Sequence, residues 1–207
     1  MRTHIFPLLT IFLLSLSSSS SSSSNLIKDT CKKCSDTDPN IRYNFCTSSF
    51  NSSPDSNQTT DLRQLGLVSI RLTKNNVTST RHFIKHLLHD GKNKKMNNNN
   101  NNTITNTTTK LDPYVKACLN DCMELYSDAV STIKLAVKDY KAKRYDDANI
   151  GLSSVIDAST TCEDGFKEND NSKNKSKNHV VSPLTKRNDN AFQLTAISLS
   201  IINMLRN

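Results

Sequence analysis

The sequence has no tryptophan, 4 glycines and 5 prolines in 207 residues, and 6% aromatic residues. Each shortage excludes something. A β-sandwich or barrel needs turn residues every 8–12 positions or so, and this chain cannot supply them. With few large aromatic side chains, any core must be modest. The scattered glycines build no phosphate-cradling loop, and there is no nucleophile triad or zinc-protease string. Catalysis, cofactor and metal are therefore not expected. Beyond the N-terminus no segment approaches the ~20 apolar residues that a membrane span requires.

What is present begins with a leader. Arg2 precedes an apolar stretch, Ile5–Leu14, and serines run on to Ser24. A basic start, an apolar middle and a small-residue end describe a secretory signal peptide over 1–24, with cleavage expected within Ser17–Ser24. The expectation is a secreted protein of the cell wall or apoplast, with the vacuole as the less favoured destination. Residues 25–207 then form one domain. Six cysteines in a secreted chain of this size point to disulfides that supplement a small core.

The formal charge of +8 lies partly in loops, at Lys92, Lys94 and Lys95, and at Lys173, Lys175 and Lys177. No aromatic residues interleave with these lysines, so a base-stacking platform for nucleic acid is not suggested. A solvated basic surface is the plain reading. Weak attraction to an acidic polymer such as pectin is the sharper one.

Residues 25–58 read as an N-terminal hairpin and linker. Asp38-Pro39-Asn40 breaks two short helical pieces, and Asn51–Thr60 follows as a linker. Residues 59–206 carry four amphipathic stretches. In the first, Leu62, Leu65, Ser69, Leu72, Asn76, Ser79, Phe83 and Leu87 step by three or four residues; Asp61 stands at the start and Gly91 at the expected C-cap. An Asn-rich insert, 92–110, cannot pack a core and is expected to be a disordered loop. The second helix starts after Asp112-Pro113 and carries Val115, Cys118/Leu119, Cys122, Leu125/Tyr126, Ala129, Ile133, Ala136/Val137 and Tyr140. The third carries Tyr145, Ala148, Leu152, Val155, Ser159, Cys162 and Phe166. A polar loop covers 167–178. The last helix starts near Ser182-Pro183 and carries Leu184, Ala191, Leu194, Ile197/Ser198, Ile201 and Leu205. The fold class is all-α: an antiparallel up-down four-helix bundle with an N-terminal helical hairpin extension, stapled by disulfides.

Cys122 and Cys162 lie equally far from the basic turn at Ala142–Arg144, each on the apolar side of its helix. In an antiparallel hairpin they meet side by side. Cys46 can pair with Cys31, though Cys34 competes for it. Cys34 and Cys118 are left over, as buried free thiols or as a bridge to each other. Cys31-x-x-Cys34 is half of a zinc motif, but no second Cys/His pair follows at suitable spacing. His82, His86 and His89 could present a metal face or a pH switch; a solvated flank is favoured. Asp121, Glu124, Glu163 and Asp164 read as surface or capping carboxylates. Asn-x-Ser/Thr sequons begin at Asn51, Asn57, Asn76, Asn101, Asn106 and Asn174. Asn76 is disfavoured as a glycan site because it falls on the apolar spacing of a helix.

The strings LNDCMELYSDAV (Leu119–Val130), TCEDGF (Thr161–Phe166) and QLTAISLSIINML (Gln193–Leu205), with Cys31…Cys46 near the start, resemble the plant invertase/pectin methylesterase inhibitor family. The resemblance covers about Leu26 to Leu205 apart from the Asn-rich insert, and looks most like the pollen-allergen-like branch named as invertase inhibitors. It implies two disulfides, Cys31–Cys46 and Cys122–Cys162, and a protein that occludes a carbohydrate-active enzyme. Cys34 and Cys118 depart from its four-cysteine pattern. Invertase inhibitors of the family carry Pro-Lys-Phe in the turn between the second and third bundle helices. Here that place holds Tyr145-Asp146-Asp147, with Asp146 where the lysine is expected. An aspartate is repelled by catalytic carboxylates. Lys141 and Lys143 lie close by, and the expected target contacts are Lys143, Arg144, Tyr145 and Asp146. Pectin methylesterase is favoured over acid invertase as target. The alternative is a non-inhibitory secreted interaction or storage protein on the same bundle.

Overall fold

The computed structural model describes residues 19–93, 111–168 and 181–206, without side-chain detail at 19–22 and 90–93. It contains α1 (Ser19–Thr37), α2 (Tyr43–Asn51), a 3-10 turn (Pro54–Gln58), α3 (Leu62–Asn93), α4 (Pro113–Lys141), α5 (Tyr145–Lys167) and α6 (Thr185–Arg206), with no strand among the described residues. Most of the expected leader and nearly all of the Asn-rich insert lie outside the described residues. So does most of the polar loop that follows α5.

Helices α3 to α6 form the bundle, in which α3 and α5 each touch both α4 and α6. The start of α4 follows the expected chemistry: the Asp112 carboxylate accepts from the backbone N–H groups of Tyr114 (2.8 Å) and Val115 (3.2 Å), and Pro113 occupies the first turn. The core of α4 and α5 follows the expected spacing, including Leu119, Tyr126, Ile133, Tyr140, Leu152, Val155 and Phe166. Helix α6 is buried on almost every side, from Gln193 to Ser198, because it also carries the N-terminal hairpin.

Two expectations for α3 are corrected. Gly91 lies inside the helix rather than capping it, since helical geometry continues to Asn93. The buried face is also rotated. Leu65, Ser69, Ile70, Thr73, Val77, Thr80 and Ile84 face inward, whereas Leu72, Asn76 and Phe83 are only partly covered and Ser79 is exposed. The cause is that hydroxyls occupy core positions. Ser69 Oγ donates to Gly66 O (2.8 Å) and Thr73 Oγ1 to Ser69 O (3.0 Å). A hydroxyl that bonds within its own helix can be buried at little cost, so Ser69 stays inward as expected and Thr73 takes the inner place expected of Leu72. The expected linker is likewise more ordered than a tether: Ser56 and Thr59 of the 3-10 turn region are buried.

The α1–α2 hairpin packs on α3 and α6 through Ile27, Cys31, Cys34, Ile41, Cys46 and Phe50, against Leu65, Val68, Ala196, Ile197 and Ile201. Buried Gln193 fastens it. Its Oε1 accepts from Arg42 N (3.0 Å), and its Nε2 donates to Asn40 O. Beside it, Arg42 makes a two-pronged contact with Asp189 (3.0 and 2.6 Å).

Candidate functional site: the hairpin of α4 and α5

Two disulfides hold the hairpins. Cys31–Cys46 closes α1 on α2 with a Cα separation of 5.7 Å, and Cys122–Cys162 joins α4 to α5 at 5.0 Å. Both separations suit an unforced bridge. Cys34 and Cys118 are buried free thiols. Burial pushes both thiols above the usual cysteine range and makes them poor nucleophiles.

Near the Cys122–Cys162 bridge, three helices share a polar chain. Tyr126 Oη donates to Asn188 Oδ1 (2.7 Å), Asn188 Nδ2 to Glu163 Oε2 (2.7 Å), and Thr185 Oγ1 to Glu163 Oε1 (2.7 Å). Glu163 is therefore more than a surface carboxylate: it ties α6 to α5. A cleft of about 370 Å³ opens here between α5 and α6, lined by Thr160, Glu163, Lys167, Asn188, Asp189 and Phe192. Glu163 has both oxygens engaged by the fold, and the other carboxylates that line the cleft, Asp164 and Asp189, pair with Lys167 and Arg42.

The opposite end is the α4–α5 turn. Arg144 N donates to Asp139 O (2.9 Å) and Lys143 N to Tyr140 O (3.0 Å). This paired pattern closes α4 as a Schellman cap, with Lys143 at the position usually held by glycine. Lys143 accordingly has φ 60°, the only positive φ at a non-glycine residue among the described residues. A side chain there costs roughly 1 kcal/mol. Lys143→Gly should therefore raise the unfolding free energy by about 1 kcal/mol, and Lys143→Ala should leave it nearly unchanged. Thermal denaturation of the two variants checks this.

The four expected contact residues are not equally available. Arg144 pairs with Asp139 and with Asp147 (3.3 Å). Tyr145 is half-buried, edge-on to Tyr140 with ring centroids 5.4 Å apart. Asp146 is met by Arg206 of α6 at 2.5 Å, a cation that spacing along the chain does not place beside it. Of the two cations among the four, Lys143 stands exposed without a carboxylate partner among the described residues.

Two further residues emerge from the structure. Leu135 is 57% exposed on α4 and Ile150 is 71% exposed on α5. The register set by the Cys122–Cys162 bridge places Leu135 level with Asn149, next to Ile150. A Cβ on Gly151 would meet Ala136 Cβ at 3.3 Å, so the helices approach closely there. Both residues sit off the core spacing of their helices. An apolar residue at a solvent position was the signal available in the sequence.

The other sequence features stay apart from this hairpin. Asn51 and Asn57 are exposed, while Asn101, Asn106 and Asn174 lie outside the described residues. Asn76 sits in unbroken α3 with its Oδ1 buried. His82, His86 and His89 are exposed on α3. No group of three His, Cys, Asp or Glu residues that could hold a metal forms among the described residues, and no described helix is long and apolar enough to cross a membrane.

A stapled bundle with a docked helical hairpin, polar chains engaged in holding helices together and an exposed apolar pair at one hairpin defines a protein that acts by contact. The comparisons give that class its family. The model of the plant invertase/pectin methylesterase inhibitor family matches residues 25–201, and the chain belongs to that family, whose members inhibit enzymes rather than act as enzymes. It is 38% identical over 183 residues to a Platanus acerifolia protein named "Putative invertase inhibitor" (88% of this chain, 87% of the relative). It is 29% identical to Pectinesterase inhibitor 12 of Arabidopsis thaliana (95% and 97% covered). A crystal structure of a mutant pectin methylesterase inhibitor from Arabidopsis shares the fold, with TM-score 0.60 at 18% identity, over 88% of this chain and 97% of that one.

Proposed function

We propose that the protein is a secreted inhibitor of pectin methylesterase that occludes the enzyme with the outer face of the α4–α5 hairpin. The observation that carries this reading is the exposed pair Leu135 and Ile150. Within one turn of them lie the small or uncharged Ser131, Thr132, Gly151 and Ser154 on one side, and the charged Lys138, Asp139, Asp146 and Asp147 on the side of the turn. Interfaces concentrate their energy in a few apolar anchors within a water-excluding rim, and a broad shallow face suits blocking a polymer-binding cleft. Relatives named as pectinesterase inhibitors, and a solved inhibitor of the same fold, support this target class.

One observation favours acid invertase as a second target. Lys143 projects from the hairpin tip, and Asp146 has its charge offset by Arg206. The tip is thus less repulsive toward an acidic glycosidase site than its sequence suggests. Relatives named as inhibitors of invertase or fructosidase fit this reading.

Inhibition of purified pectin methylesterase and acid invertase by three forms of the protein separates the readings. Leu135→Asp/Ile150→Asp should weaken esterase inhibition roughly a hundredfold, as loss of two anchors costs about 2–3 kcal/mol. Lys143→Ala should leave esterase inhibition nearly intact. If instead Lys143→Ala abolishes invertase inhibition and the double variant does not affect the esterase, the second reading replaces the first. Inhibition of neither enzyme by the unchanged protein leaves the non-inhibitory interaction protein.

A further inference from the structure

Between Arg63 and His89, α3 carries no aspartate or glutamate. Its cations could still scatter around the helix, but the packing decides otherwise. Tyr140 Oη donates to Arg63 O (2.9 Å), and Arg63 Nη2 donates to Lys141 O (3.1 Å). These bonds set the antiparallel register of α3 and α4. Thr73 approaches Ser198, and Arg187 approaches Ser79 and the Phe83 ring, which identifies the α6 side of α3. Stepping at 3.6 residues per turn from these anchors puts Lys74, Arg81 and Lys85 on the opposite, α4-facing flank.

Helix α4 divides its charge in the same way. Cys122, bridged to α5, and Thr132 and Ala136, close to Gly151, identify its α5 side. Lys116, Lys134 and Lys138 lie on the far flank, toward α3. Asp121 and Asp128 lie roughly 80–140° further round the helix, and Glu124 points outward between the two sets, about 40° from Lys138. In the register above, Lys138, Lys134, Lys74, Arg81, Lys85 and Lys116 follow one another along a single seam. The row spans about 33 Å at 1.5 Å rise per residue. Lys85, Lys116, Lys134 and Lys138 are exposed, and Lys74 and Arg81 partly so. None of these cations has a carboxylate partner among the described residues.

A straight row of unpaired cations is complementary to a straight chain of anions. We propose that the α3/α4 seam binds a linear polyuronate, a polysaccharide carrying one carboxylate on each sugar. The choice of polysaccharide rests on the cell-wall reading above; the cationic row stands without it. A lipid surface fits less well, because no large apolar side chain is exposed on α3, and Leu135 of α4 lies outside the seam. Nucleic acid fits less well because the seam presents no exposed aromatic for stacking. The seam borders the Leu135–Ile150 face at Lys138, one turn from Leu135, while Lys74, Arg81, Lys85 and Lys116 lie away from it, so one molecule can hold polymer and enzyme together.

The test is binding of the full chain to polygalacturonate, with Lys74→Ser/Arg81→Ser/Lys85→Ser compared to Lys28→Ser/Lys32→Ser/Lys33→Ser. Both variants lose the same charge, and circular dichroism confirms folding. The seam variant should bind about tenfold or more weakly while the α1 variant stays within about twofold. Binding should fall steeply with salt, and highly methyl-esterified pectin, whose carboxylates are masked, should not bind. Equal loss in both variants overturns the seam in favour of net charge alone. Tighter binding of duplex DNA or anionic vesicles than of polygalacturonate overturns the choice of ligand. No enzyme is present, so failure here leaves the inhibitor reading untouched, and retained esterase inhibition by the seam variant shows the two sites to be separate.

Discussion

Replacing Cys122 and Cys162 together by alanine is expected to lower the unfolding free energy by about 4 kcal/mol, read as a shift of the urea midpoint. The bridge closes a separation of 40 residues, and the chain-entropy model assigns a loop of that size about this much. Domains of this size are stable by roughly 5–15 kcal/mol, so the loss is a large share of the whole. Alanine is the right replacement because both sites are buried, at 1% and 2% exposure, and serine adds an unmet hydroxyl. The double variant matters because Cys118 lies one turn from Cys122 on the same helix. A single Cys122→Ala change leaves Cys162 free to find it. The bridge between Cys31 and Cys46 closes a separation of 15 and contributes about 3 kcal/mol in the same model. Its loss should chiefly loosen the α1–α2 hairpin. A loss below about 1 kcal/mol in the Cys122/Cys162 double variant contradicts the view that this staple supports the bundle.

Gly66→Ala is expected to cost about 3 kcal/mol, at the upper end for overpacking by a single methyl group. Alanine normally stabilises a helix relative to glycine by about 1 kcal/mol, so the expected sign is reversed. The reason is crowding. A Cβ at Gly66 would lie 2.1 Å from Tyr140 Oη and 2.8 Å from Ile201 Cγ2. Tyr140 cannot swing aside freely: its hydroxyl donates to Arg63 O at 2.9 Å and its ring packs on Tyr145. Burial also pushes the Tyr140 phenol well above its ordinary range, so it remains a donor. Tyr140→Phe alone should cost about 1 kcal/mol through the lost hydrogen bond. In the Gly66→Ala background the same change should stabilise, because it removes the nearest clashing atom. Thermal or urea unfolding of the four proteins in this cycle gives the coupling. Additive effects would falsify the assignment of the clash to the tyrosine hydroxyl.

The parts of the fold legible in the sequence are those where neighbours along the chain control the physics. Asp112-Pro113 start α4 through local capping, and the apolar spacing of α4 and α5 matches their buried faces. The position of Cys162 follows from equal chain lengths on either side of one tight turn. Legibility fails at α3. Leu65 and Ser69 are inward as expected, but beyond them Thr73 and Thr80 occupy inner positions, and a spacing that takes Leu72 and Phe83 inward instead turns the helix by about one residue.

The candidate site was readable in part. The α4–α5 turn and its lysines are visible in the sequence, but which charges remain available is not. Arg206 reaches Asp146 from a different helix, and Arg144 is engaged by carboxylates on both sides of the turn. Leu135 and Ile150 become a pair only when the hairpin sets them side by side.

Sequence alone determined an all-helical bundle, its likeness to an inhibitor family and the place of its hairpin turn, because helical periodicity, capping and chain length are local quantities. Tertiary structure decided the rest: Gln193 as the fastening of the N-terminal hairpin, Glu163 as a tie between helices, the close approach at Gly66 and the cationic seam between α3 and α4. Each depends on how two or more helices are rotated and aligned against one another. That arrangement is set by packing many side chains at once, which no single stretch of the chain encodes.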